Sequence, residues 1–254
     1  PYDGLIAKGG QWNGTVMVAW HKLDEPCRCT KPRMIFVNSM SDLFHPAVSF
    51  DLVAGIFGIM AAASWHTFQI LTKRPERMLE FFQWLDRQPE RRLYDTADLQ
   101  EKFPGSDWRP FFMAQRAAET LPESGDGLRV DIKGQWPLPN VWLGVSVEDQ
   151  ATADERIPLL LEAPAEVRWI SAEPLLGPVE LTRINGCPVD DRYMESGCVD
   201  ALRCTHPSRI DWVVVGGESG PGARPMHPEW ARSIRDQCRW AGVSFLFKQW
   251  GEFA

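Results

Sequence analysis

Three glutamates and two lysines of this chain stand where an apolar run gives way to a polar turn. Glu148 follows Val141–Val145, Glu173 follows Glu166–Ile170, and Glu218 follows Trp212–Val215. A carboxylate so placed can bind an ammonium or hydroxyl group, or take a proton as a general base. Lys248, after Ser244–Phe247, can pair with any of them, so Glu148, Glu173 and Lys248 are the candidate catalytic residues. Lys73 and Arg74 form a cationic pair for a phosphate or carboxylate, which a guanidinium can hold through two parallel hydrogen bonds. The turn Gly216-Gly217-Glu218-Ser219-Gly220-Pro221-Gly222-Ala223-Arg224 brings opposite charges together, and its glycines allow close approach because no Cβ stands in the way. Asn38, Ser39, Asp42, Lys73, Arg74, Ser146, Gly216, Gly217, Glu218, Ser219 and Arg224 are therefore the candidates for holding a ligand or cofactor.

The elements that must position these groups alternate. Apolar runs at 34–37, 66–71, 141–145, 166–170, 212–215 and 244–247 read as buried strands. Between them, 46–64, 75–87, 150–162 and 228–241 read as helices, two of them opened by Pro75 and Pro228, where an early-turn proline is tolerated. Strand–helix alternation implies βα units on a parallel sheet. The expected fold is α/β, a parallel (β/α) barrel, partial or TIM-like. In such a barrel every strand's C-terminal end reaches one face, where active sites are built. An open doubly wound sheet would gather some of the same residues at its switch point. Residues 1–32 read as an irregular lead-in and 33–254 as one barrel domain. Insertions interrupt it at about 88–137, with short helices near 96–102 and 110–120, and at about 183–209.

A net charge of −7 excludes a protein that coats nucleic acid through bulk charge, though a local basic groove is compatible with it. No apolar stretch reaches the length of a membrane span and no signal-peptide pattern opens the chain, so a cytoplasmic location without membrane attachment is expected. The chain starts at Pro1 without an initiator methionine, and a fragment is expected. Its six cysteines form no C-x-x-C pair. Cys27 and Cys29 are a C-x-C, while Cys187, Cys198 and Cys204 share one loop-like segment with His206 at spacings irregular for zinc, so no metal ligands are assigned. Neither a Ser/His/Asp ordering nor an HExxH, P-loop or GxGxxG pattern is present. The twelve tryptophans offer flat faces that stack bases, although packing is the commoner use of the residue.

Several segments together resemble one family. They are IFVNSMSDLFH at 35–45, LTKRPER at 71–77, WLGVSVED at 142–149, SAEPLLGP at 171–178, the loop from Gly216 to Met226, and FKQWG at 247–251. In that order they are similar to the phage Gp37/Gp68-like proteins, a domain-of-unknown-function family. Members carry a compact N-terminal cysteine triad followed by a tyrosine, which resembles the cluster loop of radical S-adenosylmethionine enzymes. The resemblance implies a partial (β/α) barrel and, in the full-length protein, a [4Fe–4S] cluster and S-adenosylmethionine. It implies that Glu218 or Glu173 receives the cofactor's amino group and Lys73 or Arg74 its carboxylate. This chain departs from the pattern, because nothing before Met34 contains the triad: Cys27 and Cys29 have the wrong spacing and Thr30 follows them. Either the triad lies upstream of Pro1 or this member lacks it.

Two functions compete. One is a radical S-adenosylmethionine-like enzyme acting on a nucleic acid or nucleotide. The other is a non-catalytic binding or interaction protein of a phage or anti-phage system, with a protein or nucleic-acid partner, that keeps the barrel. A weaker third is a metal-independent lyase or hydrolase using Glu148 and Glu173.

Overall fold

Six strands lie side by side in chain order, all parallel, and the sheet they make curls into half a barrel. The computed structural model describes residues 4–5, 13–19, 22–23, 25–87, 137–185, 198–204 and 208–253. The strands are β1 (Met34–Val37), β2 (Thr67–Thr72), β3 (Val141–Ser146), β4 (Val167–Ala172), β7 (Trp212–Gly216) and β8 (Ser244–Gln249). Between β4 and β7, a two-residue antiparallel pair, β5 (Ile184–Asn185) with β6 (Cys198–Val199), occupies part of the expected second insertion. The helices are α1 (Glu25–Arg28), α2 (Phe50–Ala62), α3 (Pro75–Asp86), α4 (Gln150–Glu162) and α5 (Pro228–Ala241). The short helices expected near 96–102 and 110–120, together with Cys187 and His206, fall outside the described residues.

Several element boundaries differ from the sequence expectation, each for a local reason. The helix expected from residue 46 starts at Phe50, because Ser49 caps it by accepting from the Leu52 N–H and the preceding residues turn around Asp42. Thr72, Ser146, Ser171 and Lys248 belong to the strands and do not lie past them. The parallel ladder continues through Thr72↔Val145 and Ser146↔Ser171, so these hydroxyls remain in the sheet. The lead-in, expected to be irregular, contains α1.

The helices are held at both ends by local chemistry. Asp149 and Thr152 cap α4 reciprocally, and the Thr152 N–H and hydroxyl hold the Asp149 carboxyl below the usual carboxylate range. At the other end of α4 the half-buried Arg168 guanidinium donates to the Leu160, Ala163 and Ala165 carbonyl oxygens, and the Ala163 N–H also bonds to the Leu160 oxygen, so the carbonyl groups at the helix end are satisfied. His227 caps α5, Pro228 occupies its first turn, and Gly242 ends it in the left-handed conformation at φ 70°.

One face of the sheet packs on these helices. Phe68, Ile70, Leu143, Val145, Ile170, Val213 and Val215 join Phe57, Met60, Met78, Phe81, Ile157, Leu160 and Ile234 in a continuous core. Around Phe81, the rings of Phe57, Phe82 and Phe44 sit with centroids 5.4, 5.1 and 6.1 Å away. The other face, made by the alternating residues of each strand, is turned away from the helices.

The edge strand β1 is anchored by a buried histidine. His66 Nδ1 accepts from the Arg33 N–H at 3.0 Å, which leaves the ring hydrogen on Nε2, 3.0 Å from the Pro26 carbonyl oxygen. Beside it, Trp65 Nε1 donates to the Cys29 carbonyl oxygen at 2.7 Å. One neutral imidazole thereby joins the segment of α1 to the start of the sheet. Replacing His66 with Ala strands both backbone groups, and a loss of about 2–4 kcal/mol of stability is expected in urea unfolding. A midpoint unchanged from the parent would show that the segment holds without it.

Candidate functional site

The carboxyl ends of the strands carry four acid clusters, and each is assembled by what its neighbouring strand supplies. After β1 the chain turns at Asn38, which takes a left-handed φ of 58°, and returns Asp42 to the edge. The Asp42 carboxylate accepts from Thr72 Oγ1 at 2.9 and 3.0 Å, from the Lys73 N–H at 3.1 Å, from Arg74 Nη1 at 2.9 Å and from the Phe44 N–H at 2.9 Å. That set ties the β1 turn to the end of β2 and leaves Asp42 fully occupied.

Glu148, just past β3, is gripped from two sides. Lys73 Nζ reaches it from the end of β2, and Arg156 Nη1 reaches it from α4 at 2.9 Å. Arg156 also donates to the Ser146 carbonyl oxygen at 2.9 Å, so one guanidinium fixes both the strand end and the acid. Glu148 and Arg156 are largely shielded, which strengthens their attraction relative to a surface pair.

Glu173, just past β4, reaches across β7 to β8. Lys248 Nζ lies 2.8 and 3.0 Å from its two oxygens, and Gln249 Nε2 lies 3.1 Å from one of them. The same Gln249 amide donates to Ser219 Oγ at 2.8 Å. The strand skipped over, β7, ends in Gly216-Gly217 for a steric reason: a Cβ on Gly216 would lie 2.9 Å from a Glu173 carboxylate oxygen, and one on Gly217 would collide with the Trp250 carbonyl group. Gly251 fits against the Glu218 backbone at φ 88°. The close approach read from this glycine run is therefore made by the chain's own Glu173, Glu218 and Trp250.

Glu218 closes its own loop. Arg224 offers Nε and Nη2 to its two oxygens at 2.8 Å each, and the Arg224 N–H adds a third bond at 2.8 Å. These hydrogen bonds from Arg224 hold the Glu218 carboxyl down at about 2 and push the guanidinium up.

The matching family is that of a model described as Protein of unknown function (DUF5131), over residues 5–254. The chain belongs to this family. No curated protein and no solved structure matches it. In this DUF5131 chain the candidates named from the sequence sort into two kinds. Asp42 with Arg74 and Glu218 with Arg224 are closed pairs, saturated by local bonds. Lys73 with Glu148 and Lys248 with Glu173 are open pairs, because each lysine is an ammonium at the end of a flexible, half-exposed stem with no fixed fork to lock it to the carboxylate. Asn38 and Ser39 stand exposed on the first turn, whereas Ser146 is buried in β3.

Two participants were missed. Arg156 lies eight residues beyond Glu148, on the helix that follows β3, and its only sequence signal was a cation in the first turns of that helix. Gln249 stood in a quoted motif without a role, and its bonds to Glu173 and Ser219 depend on a chain crossing that spacing does not show.

For the cluster implied by the family resemblance, three thiolates are required. Among the described residues no three His, Cys, Asp or Glu side chains gather as a metal site. Cys27 Sγ faces the Ile59 carbonyl oxygen, and burial pushes the Cys238 thiol up to about 12, far from a ligating thiolate. The described residues do not fit a cluster. Nor is any helix among them long and apolar enough to cross a membrane.

Glu218 supplies a direct check. Its folded pKa is depressed, so the stabilisation from its pair is present above the ordinary glutamate range and lost as pH falls toward 2. At pH 4, where an ordinary glutamate is largely protonated, the Glu218–Arg224 loop stays closed. Carbon-detected NMR titration of the carboxyl should place its midpoint near 2, rising by about a unit in Arg224→Lys, where the two-pronged bond is lost. A midpoint in the ordinary range in the parent chain would mean that the pair does not persist in solution.

Proposed function

We propose that this chain forms the barrel and the ligand-holding edge of a radical S-adenosylmethionine-like enzyme that acts on a nucleotide or nucleic-acid substrate. The observation that carries the proposal is the pair of open lysine–carboxylate contacts on the C-terminal edge of a parallel half-barrel. A methionyl group brings an ammonium and a carboxylate together. In this reading Glu173 accepts the ammonium as Lys248 swings away, and Lys73 turns from Glu148 to the carboxylate. Glu148 keeps Arg156 when Lys73 leaves, and Glu173 keeps Gln249, so neither acid is stranded by the exchange. Glu218 and Arg74, the other two residues named by the resemblance, are spent on closed pairs and serve to shape the edge.

The cluster does not fit the described residues, so no step is assigned to it. When bound to such enzymes the cluster supplies the electron for cofactor cleavage; the residues here hold and orient. Their electrostatics suit that task, because a zwitterion exchanged for two internal ion pairs leaves the net charge of the edge unchanged.

A second reading has its own support. Each of the four acids already has a cation, which is also how a barrel without chemistry closes its open edge, and the chain would then be a binding protein that retains the fold.

Equilibrium dialysis of S-adenosylmethionine against this chain separates the two. The enzyme reading expects saturable binding that weakens about tenfold in Glu173→Gln, the loss of one charge-assisted contact, with little change in unfolding. Protein prepared anaerobically from the whole reading frame should also carry about four irons per chain. Absence of both cofactor binding and iron would leave the binding-protein reading.

A further inference from the structure

Among the described residues, the face of the sheet turned away from the helices carries two buried N–H donors with nothing to bond. Parallel pairing places register partners on the same face. Phe36 stands beside Gln69, Gln69 beside Trp142, Gly144 beside Trp169, and Trp169 beside Trp212. None of these side chains belongs to the helix-packed core. Gln69 is 7% exposed and Trp169 is 3% exposed, yet Gln69 Nε2 and Trp169 Nε1 have no hydrogen-bond partner. An orphan donor in a buried site is unfavourable, and native chains leave few of them. Two on one face, on β2 and β4 with only β3 between, call for a common acceptor.

The surroundings say what kind. Trp169 is stacked on Trp212 at 5.3 Å, Trp142 meets Trp212 edge-on at 5.8 Å, and Phe36 meets Trp169 edge-on at 6.2 Å. Gly144 makes the arrangement possible, because a Cβ there would lie 2.5 Å from indole atoms of Trp169, Nε1 included. The indole thus lies flat over β3. Phe36 is 42% exposed, so the face is open at its β1 side. Flat apolar walls with two N–H donors and no charge suit a planar group that carries ring-nitrogen or carbonyl acceptors.

We propose that the concave face of the half-barrel is a nucleobase subsite, with Trp169 Nε1 and Gln69 Nε2 donating to acceptors on the base edge and Phe36 and Trp142 flanking its plane. The proposal rests on the nucleotide half of the function proposed above and is independent of the methionyl half. It gives the substrate a place below the charged edge, with its base inside the barrel and its polar portion toward the strand ends.

The test uses this chain with adenosine, guanosine, cytidine and uridine, followed by saturation-transfer NMR and equilibrium dialysis. At least one nucleoside should bind, and Gln69→Met and Trp169→Phe should each weaken it about five- to tenfold, one neutral hydrogen bond apiece. Gln69→Met should also unfold at the same or higher urea concentration than the parent, because it removes an orphan donor. If Trp169→Phe does not fold, Gln69→Met alone decides. The proposal is overturned if no nucleoside binds at millimolar concentration, or if binding is indifferent to the substitutions. It is also overturned if only adenosine binds and S-adenosylmethionine displaces it, since the base then sits in the cofactor's own site. Failure of S-adenosylmethionine to bind, with nucleoside binding intact, removes the methionyl reading and leaves this one standing.

Discussion

A parallel sheet that does not close on itself has a structural problem at its carboxyl edge. Backbone ladders bind each strand to the next along its length, but they stop where the turns begin. Here the turns are held by carboxylates. Asp42 joins the β1 turn to β2, Glu148 joins β2 to β3 and to α4, and Glu173 spans from β4 to β8 over the glycines of β7. Glu173 matters most, because no other described carboxylate bond passes over a strand to reach the far side of the half-barrel. The spanning contact in turn requires Gly216, since any side chain there would occupy the space of its carboxylate. Backbone bonds fill the intervals that the acids leave: Leu176 N–H to the Glu148 carbonyl, Leu175 N–H to Gly216, and Gly217 N–H to Gln249. Individually such partly exposed pairs contribute little to stability. Their joint effect is geometric, because each fixes the position of a group that another strand needs.

This explains why the edge was legible in the sequence and the interior was not. Strands in a parallel sheet are apolar throughout, so a switch to Asp, Glu, Lys or Asn marks the strand end, and the ring of Asp42, Lys73, Glu148, Glu173, Glu218 and Lys248 could be collected from single positions. The alternation of strands and helices followed from the same rhythm, and two helix starts from Pro75 and Pro228. Pairing could not be read. Whether Glu173 meets Lys73 or Lys248 depends on the curl of the sheet, and whether Glu218 is available depends on a loop closing through Arg224 six residues later. Arg156 escaped notice because its role is set by helix rotation, which brings the one cation of α4 back over the strand end. The thiols were misleading in a different way. Cysteine spacing suggested ligand questions, yet burial of Cys238 is settled by the tertiary core alone.

The interior eluded the sequence because continuous apolar runs do not say which alternate residues face helices. Trp212 and Val213 look alike in the run DWVVVG, yet Val213 belongs to the core and Trp212 to the opposite face. Gln69 was a polar residue inside TFQILT with no turn to explain it, and that was the available signal. A glutamine in the middle of a buried parallel strand breaks the rule that such strands are apolar, and violations of a local rule concentrate at functional or strained positions. Gly144 carries a second signal of the same kind, a glycine in mid-strand, where close approach of another group is the usual reason. The group that approaches is the Trp169 indole.

Edge and interior thus have opposite electrostatic characters within one half-barrel. At the edge every one of these carboxylates is paired with a cation, whereas the interior is uncharged but holds unsatisfied donors. A purely anionic ligand would gain nothing inside, and a purely apolar one would leave both donors unbonded. A flat, acceptor-bearing ring satisfies the donors inside, and a charged or zwitterionic group meets the lysine pairs at the edge, which accept either sign without leaving a carboxylate bare. The same division argues against a hydrolase built on Glu148 and Glu173. A general base needs a free lone pair near its working pH, and each of these acids is held in at least two directions by donors from the protein. Holding a ligand requires only that one of those donors move.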